Sequence, residues 1–135
     1  MVRPRHKNPT PAELEVLQII WEHGPCTVRT VMNLLSPRRP RAYTSVMSLM
    51  NVMAEKGLLT QKPKGRAFIY SAKVSQDKTQ SRLLSDLLNR AFDGSASVLV
   101  AHLLRQAEPD KEELDEIHKT ISEFTRKKRG ESCQS

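Results

Sequence analysis

The sequence predicts a mainly α fold: a winged helix-turn-helix, built of three helices plus a β-hairpin wing, followed by a C-terminal helical dimerisation region. Three observations predict it. Residues 42–70 read AYTSVMSLMNVMAEKGLLTQKPKGRAFIY, which is a helix with a polar outer face, a glycine stop, and two strand-like runs around a basic turn. Two shorter helical repeats precede this stretch. Three more helical repeats follow it, each with an apolar stripe, in a chain of 135 residues that has room for one domain, or one small domain plus an oligomerisation segment.

Residues 1–9 are basic and aperiodic, a flexible arm carrying Arg3, Arg5 and Lys7. Thr10-Pro11-Ala12-Glu13 starts the first helix, with Thr10 as cap, Pro11 at the first helical position and Glu13 reaching back in a capping box. Leu14, Leu17, Ile20 and Trp21 give this helix a buried face, and Gly24-Pro25 ends it. Cys26 packs at the start of the second helix. Thr27 caps that helix, whose face is Val28, Val31, Met32 and Leu35. Pro37 and Pro40 make SPRRPR (36–41) a basic loop. The third helix, from about Ala42 to Lys56, turns Val46, Leu49, Met50 and Met53 inward and leaves Tyr43, Thr44, Ser45, Met47, Ser48 and Asn51 outside. Gly57 caps its end. Leu58–Gln61 and Ala67–Tyr70 are strands, and Lys62–Arg66 is the turn between them. This domain spans 10–73.

From residue 74 to 128 the pattern is helical. Leu83, Leu84, Leu87, Leu88 and Ala91 mark one helix ending near Asp93-Gly94. Val98, Leu99, Leu103 and Leu104 mark another, which stops before Pro109. Asp110 caps a last helix in which Leu114, Ile117, Ile121 and Phe124 form a 3-4-3 seam. Three stripes without a core of their own point to a second copy of the chain. The dimerisation residues on this reading are Leu84, Leu87, Leu88, Leu103, Leu114, Ile117, Ile121 and Phe124. Residues 129–135 form a disordered tail.

Charge divides the chain. Residues 1–73 hold 12 Lys/Arg against 4 acids, and 74–135 hold 10 against 11, within a net charge of +7. A basic half beside a neutral half fits a polyanion partner for the first, the alternative being a solubilising surface. Six aromatics are too few for single-strand stacking platforms, which favours duplex DNA. Short hydroxyls and an exposed Met on the third helix suit a major groove better than solvent, where Lys and Glu are usual. The DNA-binding residues on this reading are Tyr43, Thr44, Ser45, Met47 and Ser48 on the helix, Arg38, Arg39 and Arg41 before it, and Lys62, Lys64 and Arg66 on the wing.

Other classes find little in the sequence. No serine sits in a nucleophile elbow, no glycine-rich phosphate loop exists, and the four histidines are scattered, so the chain does not read as an enzyme. Two cysteines make neither a disulfide framework nor a zinc site. His118, three residues after Asp115, reads as a solvated pair. No metal and no cofactor is expected. The N-terminus lacks an apolar signal core and no run spans a membrane, so the expected location is cytoplasmic, with no membrane insertion. Two rivals stay open: a winged-helix protein-interaction module without specific DNA binding, and a ligand-sensing repressor with an effector held by Leu87, Leu103 and Phe124.

The segments TPAELEVLQIIWEHGPCTVRTV, AYTSVMSLMNVMAEKGLL and KGRAFIYSA resemble the BlaI/MecI penicillinase-repressor family over roughly residues 10–73. The resemblance implies a homodimeric winged-helix repressor on an inverted-repeat operator, with Thr44, Ser45, Val46 and Ser48 opening the recognition helix. Val46 is inward by periodicity and is left out of the site. It also implies dimerisation through the C-terminal helices, and release when a membrane sensor protease brings about cleavage inside that region. The chain departs from the pattern at two places. Val52 stands where the family usually has Arg. Ala101-His102 stands where the usual cleavage bond is Asn-Phe, which puts release by proteolysis in question. A single C-terminal cysteine, Cys133, argues against the copper response of cysteine-rich relatives. The operator sequence, the regulated genes and the inducer are not legible in the chain.

Overall fold

The computed structural model describes residues 8–35 and 41–134, with side chains through residue 130. The elements are α1 (Pro11–His23), α2 (Val28–Leu35), α3 (Tyr43–Lys56), β1 (Leu59–Lys64), β2 (Ala67–Ala72), α4 (Gln76–Ala91), α5 (Ala96–Ala107) and α6 (Lys111–Gln134). They form two compact units, one ending at Leu87 and the other beginning at Leu88. Three helices and a two-stranded antiparallel hairpin in this order are a winged helix-turn-helix. The arm residues Arg3, Arg5 and Lys7, and the loop residues Pro37, Arg38, Arg39 and Pro40, lie outside the described residues. So does the side chain of Cys133.

α1 starts where its capping box closes. The Thr10 hydroxyl accepts from the Glu13 N–H at 3.2 Å, and the Thr10 N–H donates to Glu13 Oε1 at 2.9 Å. Leu17 and Ile20 are buried as the periodicity predicts, Leu14 and Trp21 are half-buried, and the helix also encloses Val16 and Glu13. Glu13 is a carboxylate in the core. Lys56 Nζ, at the end of α3, donates to its Oε2 at 2.8 Å and so ties the start of one helix to the end of another.

Burial pushes the Glu13 carboxyl up, but the Lys56 ammonium and the Thr10 N–H and hydroxyl outweigh it and hold the group below its ordinary value of 4.5. A carboxyl whose folded pKa is depressed contributes its full stabilisation above the unfolded value and loses it as pH falls through the folded value. Thermal scans should therefore show the midpoint falling as pH drops below about 4.5. Lys56→Met should flatten that fall and cost about 1–3 kcal/mol at neutral pH. An undiminished fall in the variant would remove Lys56 from the account.

α2 is capped by Thr27, whose hydroxyl accepts from the Thr30 N–H at 3.2 Å, and it buries Val28, Val31 and Leu35. α3 buries Val46, Met50 and Met53 and half-buries Leu49. It ends in a Schellman closure at Gly57 (φ +86°): the Leu58 N–H donates to Met53 O at 2.9 Å, and the Gly57 N–H donates to Ala54 O at 3.2 Å. The first unit's core gathers these side chains with Leu59, Tyr70 and Cys26.

The wing is longer and its turn tighter than the sequence suggests. β1 runs on to Lys64 and β2 to Ala72, paired from Leu59↔Ala72 to Lys64↔Ala67. Only Gly65-Arg66 remain as the turn, with φ +61° at Gly65 and no positive φ at Arg66, the pattern of a type II′ hairpin. Pro63 suggests a longer break, but a two-stranded ribbon has only edge strands, where proline is accepted. Lys62 and Lys64 are therefore strand residues, and Arg66 alone is at the tip. Cys26 adds a bridge on the other side of β2, its N–H donating to Tyr70 O at 3.0 Å and its carbonyl accepting from the Tyr70 N–H at 2.8 Å. Burial pushes the Cys26 thiol up, so it stays a packed thiol.

The first unit reaches past residue 73, where the sequence places its boundary, because the start of α4 belongs to it. The Trp21 indole N–H donates to Val74 O at 3.0 Å, and Thr79 is buried. In the second unit Ser95 caps α5 and Asp110 caps α6, accepting from the N–H groups of Val98 and Glu113 at 3.3 and 2.9 Å. Phe92 and His102 meet edge to face at 5.3 Å. α6 continues to Gln134 instead of giving way to a tail at 129, because Gly130 costs an exposed helix only about 1 kcal/mol. No described side chain after Thr79 is buried. Leu84, Leu87, Leu103, Ile121 and Phe124 stand exposed, while Leu88, Leu114 and Ile117 are half-buried.

Candidate nucleic-acid interface

The helical period that buries Val46, Met50 and Met53 puts Thr44 and Ser48 on the opposite side of α3 and Tyr43, Ser45 and Met47 on its flanks. All five are exposed, and Arg41, just before the helix, is half-exposed. The N-terminal half of the face presents three hydroxyls from Thr and Ser, one phenol and one thioether, and no acid; Glu55 is exposed near the C-terminal end of the helix. Arg38 and Arg39 lie outside the described residues, so only Arg41 of that basic loop can be placed.

A hydrogen-bonded relay fixes the wing against this helix. Tyr70 is almost wholly buried (1% exposed). Its hydroxyl donates to Asn51 Oδ1 on α3 at 2.8 Å and accepts from Gln61 Nε2 on β1 at 3.0 Å. Burial, offset in part by the Gln61 hydrogen bond, pushes the phenol up, so it keeps its proton and remains the donor to Asn51. Residues directly opposite in the ladder share a face, so Gln61, Tyr70, Pro63 and Phe68 lie on the side of the wing turned to α3. Lys62 and Lys64 lie on the other side.

Among the described residues of the first unit, two grooves bear on the chemistry of a partner. One, of about 480 Å³, runs between α3, the start of α2 and the wing, and includes Arg29, Tyr43, Met47, Arg66 and Phe68 in its walls. The other, of about 590 Å³, lies against Trp21, Ile19 and Leu34, with Glu15 and Glu22 on it. Its carboxylates disfavour a polyanion, and the guanidinium groups of the first favour one. The described residues contain no cluster of His, Cys, Asp and Glu able to hold a metal, and no helix long and apolar enough to cross a membrane.

Sequence reasoning missed Arg29 and Phe68 and did not give Asn51 and Gln61 a role. Arg29 lies 14 residues before Tyr43, yet its guanidinium carbon stands 5.3 Å from the centre of that ring. The available signal was a lone cation near the start of an otherwise uncharged α2. Phe68 is read from the sequence as strand filling, but it is about half exposed.

Residues 9–123 match the family described as penicillinase repressor. A penicillinase repressor of Bacillus licheniformis is 25% identical over 118 residues, spanning 87% of this chain and 92% of that protein. A transcriptional regulator BlaI of Mycobacterium tuberculosis is 33% identical over 114 residues, spanning 83% and 81%. The solution structure of the Bacillus licheniformis BlaI monomeric form in complex with the blaP half-operator aligns with 56% of this chain and 92% of its own, at 24% identity and a TM-score of 0.46.

Proposed function

Because this chain belongs to the penicillinase repressor family, we propose that it is a transcriptional repressor that binds an inverted-repeat operator in duplex DNA as a homodimer. The observation that carries the reading is the hydroxyl-bearing, acid-free N-terminal half of the outer face of α3 (Glu55 is exposed only near its far end), held at a fixed distance from a cationic wing by the Asn51–Tyr70–Gln61 relay. A helix of this width enters the major groove, where Thr44, Ser45 and Ser48 reach base edges or phosphates and Met47 meets a thymine methyl. Arg41 approaches the rim of the same groove, and Arg38 and Arg39 are proposed as further phosphate contacts from the sequence alone. Lys62 and Lys64, on the outer side of the wing, and Arg66 at its tip meet the backbone or the neighbouring minor groove.

A second copy follows from the apolar side chains of α4, α5 and α6 that one chain leaves uncovered. Leu84, Leu87, Leu88, Leu103, Leu114, Ile117, Ile121 and Phe124 are the proposed contact residues. Two modules joined in this way bind two half-sites, and the second contact becomes intramolecular, gaining roughly 10²–10⁴ in affinity. Occupation of the promoter excludes polymerase, and separating or cutting the joining helices restores transcription. The proposed partner protease is the membrane sensor that the family resemblance implies. Ala101-His102, where that cleavage would fall, lies inside α5, so the helix must open before a protease can take it. A repressor acts where the DNA is, so the proposed location is cytoplasmic.

The test is a gel-shift titration with the DNA upstream of its own gene against a scrambled duplex, at about 50 and about 200 mM salt. Retardation of the upstream duplex at much lower protein supports the reading and supplies an operator. No retardation of either duplex favours a protein-interaction module. On a bound duplex, Lys62→Ala, Lys64→Ala and Arg66→Ala should each reduce the salt slope by about one unit. Unchanged slopes would take the wing off the backbone.

A further inference from the structure

We propose that the groove between α3 and the wing seats the sugar-phosphate backbone of one DNA strand, with Arg29 as a phosphate contact held in place by the ring of Tyr43. The inference rests on the DNA-binding reading and adds to it a seat, a new contact residue and a changed role for Tyr43. A nucleic-acid strand alternates anionic phosphates with apolar deoxyribose rings. The lining of the groove carries both kinds of group: the guanidinium groups of Arg29 and Arg66, and the apolar ring of Phe68. A free anion would have no use for the phenyl surface, and an apolar ligand no use for two guanidinium groups.

The register of the wing supports this placement. Phe68 lies two residues from Tyr70 on the same side of β2, the side that Tyr70 packs toward α3, and it remains about half exposed. Lys62 and Lys64 are on the far side and do not share the groove. The guanidinium of Arg29 stands over the Tyr43 ring at 5.3 Å, within cation–π range. The ring holds the guanidinium without using a hydrogen-bond acceptor, so its N–H donors can go to a phosphate, which is how arginine holds such groups. Tyr43 is thus a positioning residue that orients Arg29, where the sequence alone makes it a DNA contact in its own right.

The experiment measures the salt dependence of binding by the full chain to a random-sequence duplex and to the upstream duplex. Arg29→Ala and Arg29→Gln should each reduce the slope of log affinity against log salt by about one unit on both duplexes, since a phosphate contact carries no sequence information. Tyr43→Ala should lose part of that slope and Tyr43→Phe should keep it, because phenylalanine retains the ring face. Phe68→Ala should weaken binding about tenfold with the slope unchanged, as an apolar sugar contact would. Circular dichroism confirms that each variant is folded. Wild-type protein that binds no duplex overturns the DNA-binding reading and the seat with it. Wild-type binding with full slopes in both Arg29 variants overturns the seat alone, and a full slope in Tyr43→Ala overturns its positioning role.

Discussion

Ile121→Asp is expected to lower operator affinity by about 10²–10⁴ while the first unit stays folded. Ile121 is 53% exposed in the single chain, so a carboxylate there disturbs little within its own unit. Its cost falls on whatever covers the α6 stripe, where an unpaired charge would be buried. Phe124→Asp, at a residue 67% exposed, should behave alike. Leu114→Asp is a blunter probe, because Leu114 is half-buried within its own unit and its loss mixes folding with assembly. Sedimentation should show the Ile121 and Phe124 variants as monomers. Binding to a single half-site should be unchanged, since the recognition helix is untouched. A variant that remains dimeric and binds the full operator as tightly as the wild type would refute the role given to α6.

Tyr70→Ala is expected to cost about 3–5 kcal/mol, a large part of the roughly 5–15 kcal/mol that holds a small domain together. Tyr70 is one of the largest fully buried side chains, at the point where β2, the Cys26 bridge and α3 meet. Removing the ring leaves a cavity in a core of modest size. Tyr70→Phe separates the hydroxyl from the ring. It should cost only about 1 kcal/mol, because Asn51 is exposed and water can take the lost bond. It should nonetheless weaken DNA binding, since the wing is then held to α3 without the relay. Urea titrations give both stability values. A Tyr70→Ala chain as stable as the wild type would show that the ring does not support the core as described.

The elements legible in the sequence are those with local causes. The Thr10–Glu13 capping box, the Thr27 and Asp110 caps and the Gly57 stop are each made by residues within a turn of one another, and the hydroxyl face of α3 follows from counting by 3.6. What stays hidden depends on residues far apart in the chain. Glu13 reads as a capping acid, and only the approach of Lys56, 43 residues on, makes it a buried ion pair. Cys26 reads as helix-start packing, and only the hairpin turns it into a bridge partner of Tyr70. Pro63 misleads in the other direction, because its usual force as a breaker lapses on an edge strand. Arg29 and Phe68 gain their meaning from the groove that α2, α3 and the wing enclose, and no window of sequence contains all three.

The central claim is symmetric, sequence-specific recognition by two copies of the chain. Selection of bound duplexes from a random-sequence library, followed by sequencing, tests it whatever the operator proves to be. The expected result is enrichment of an inverted repeat whose half-site centres lie about one or two helical turns apart, on one face of the duplex. Recovery of no common sequence, or of a single unrepeated site, would contradict it.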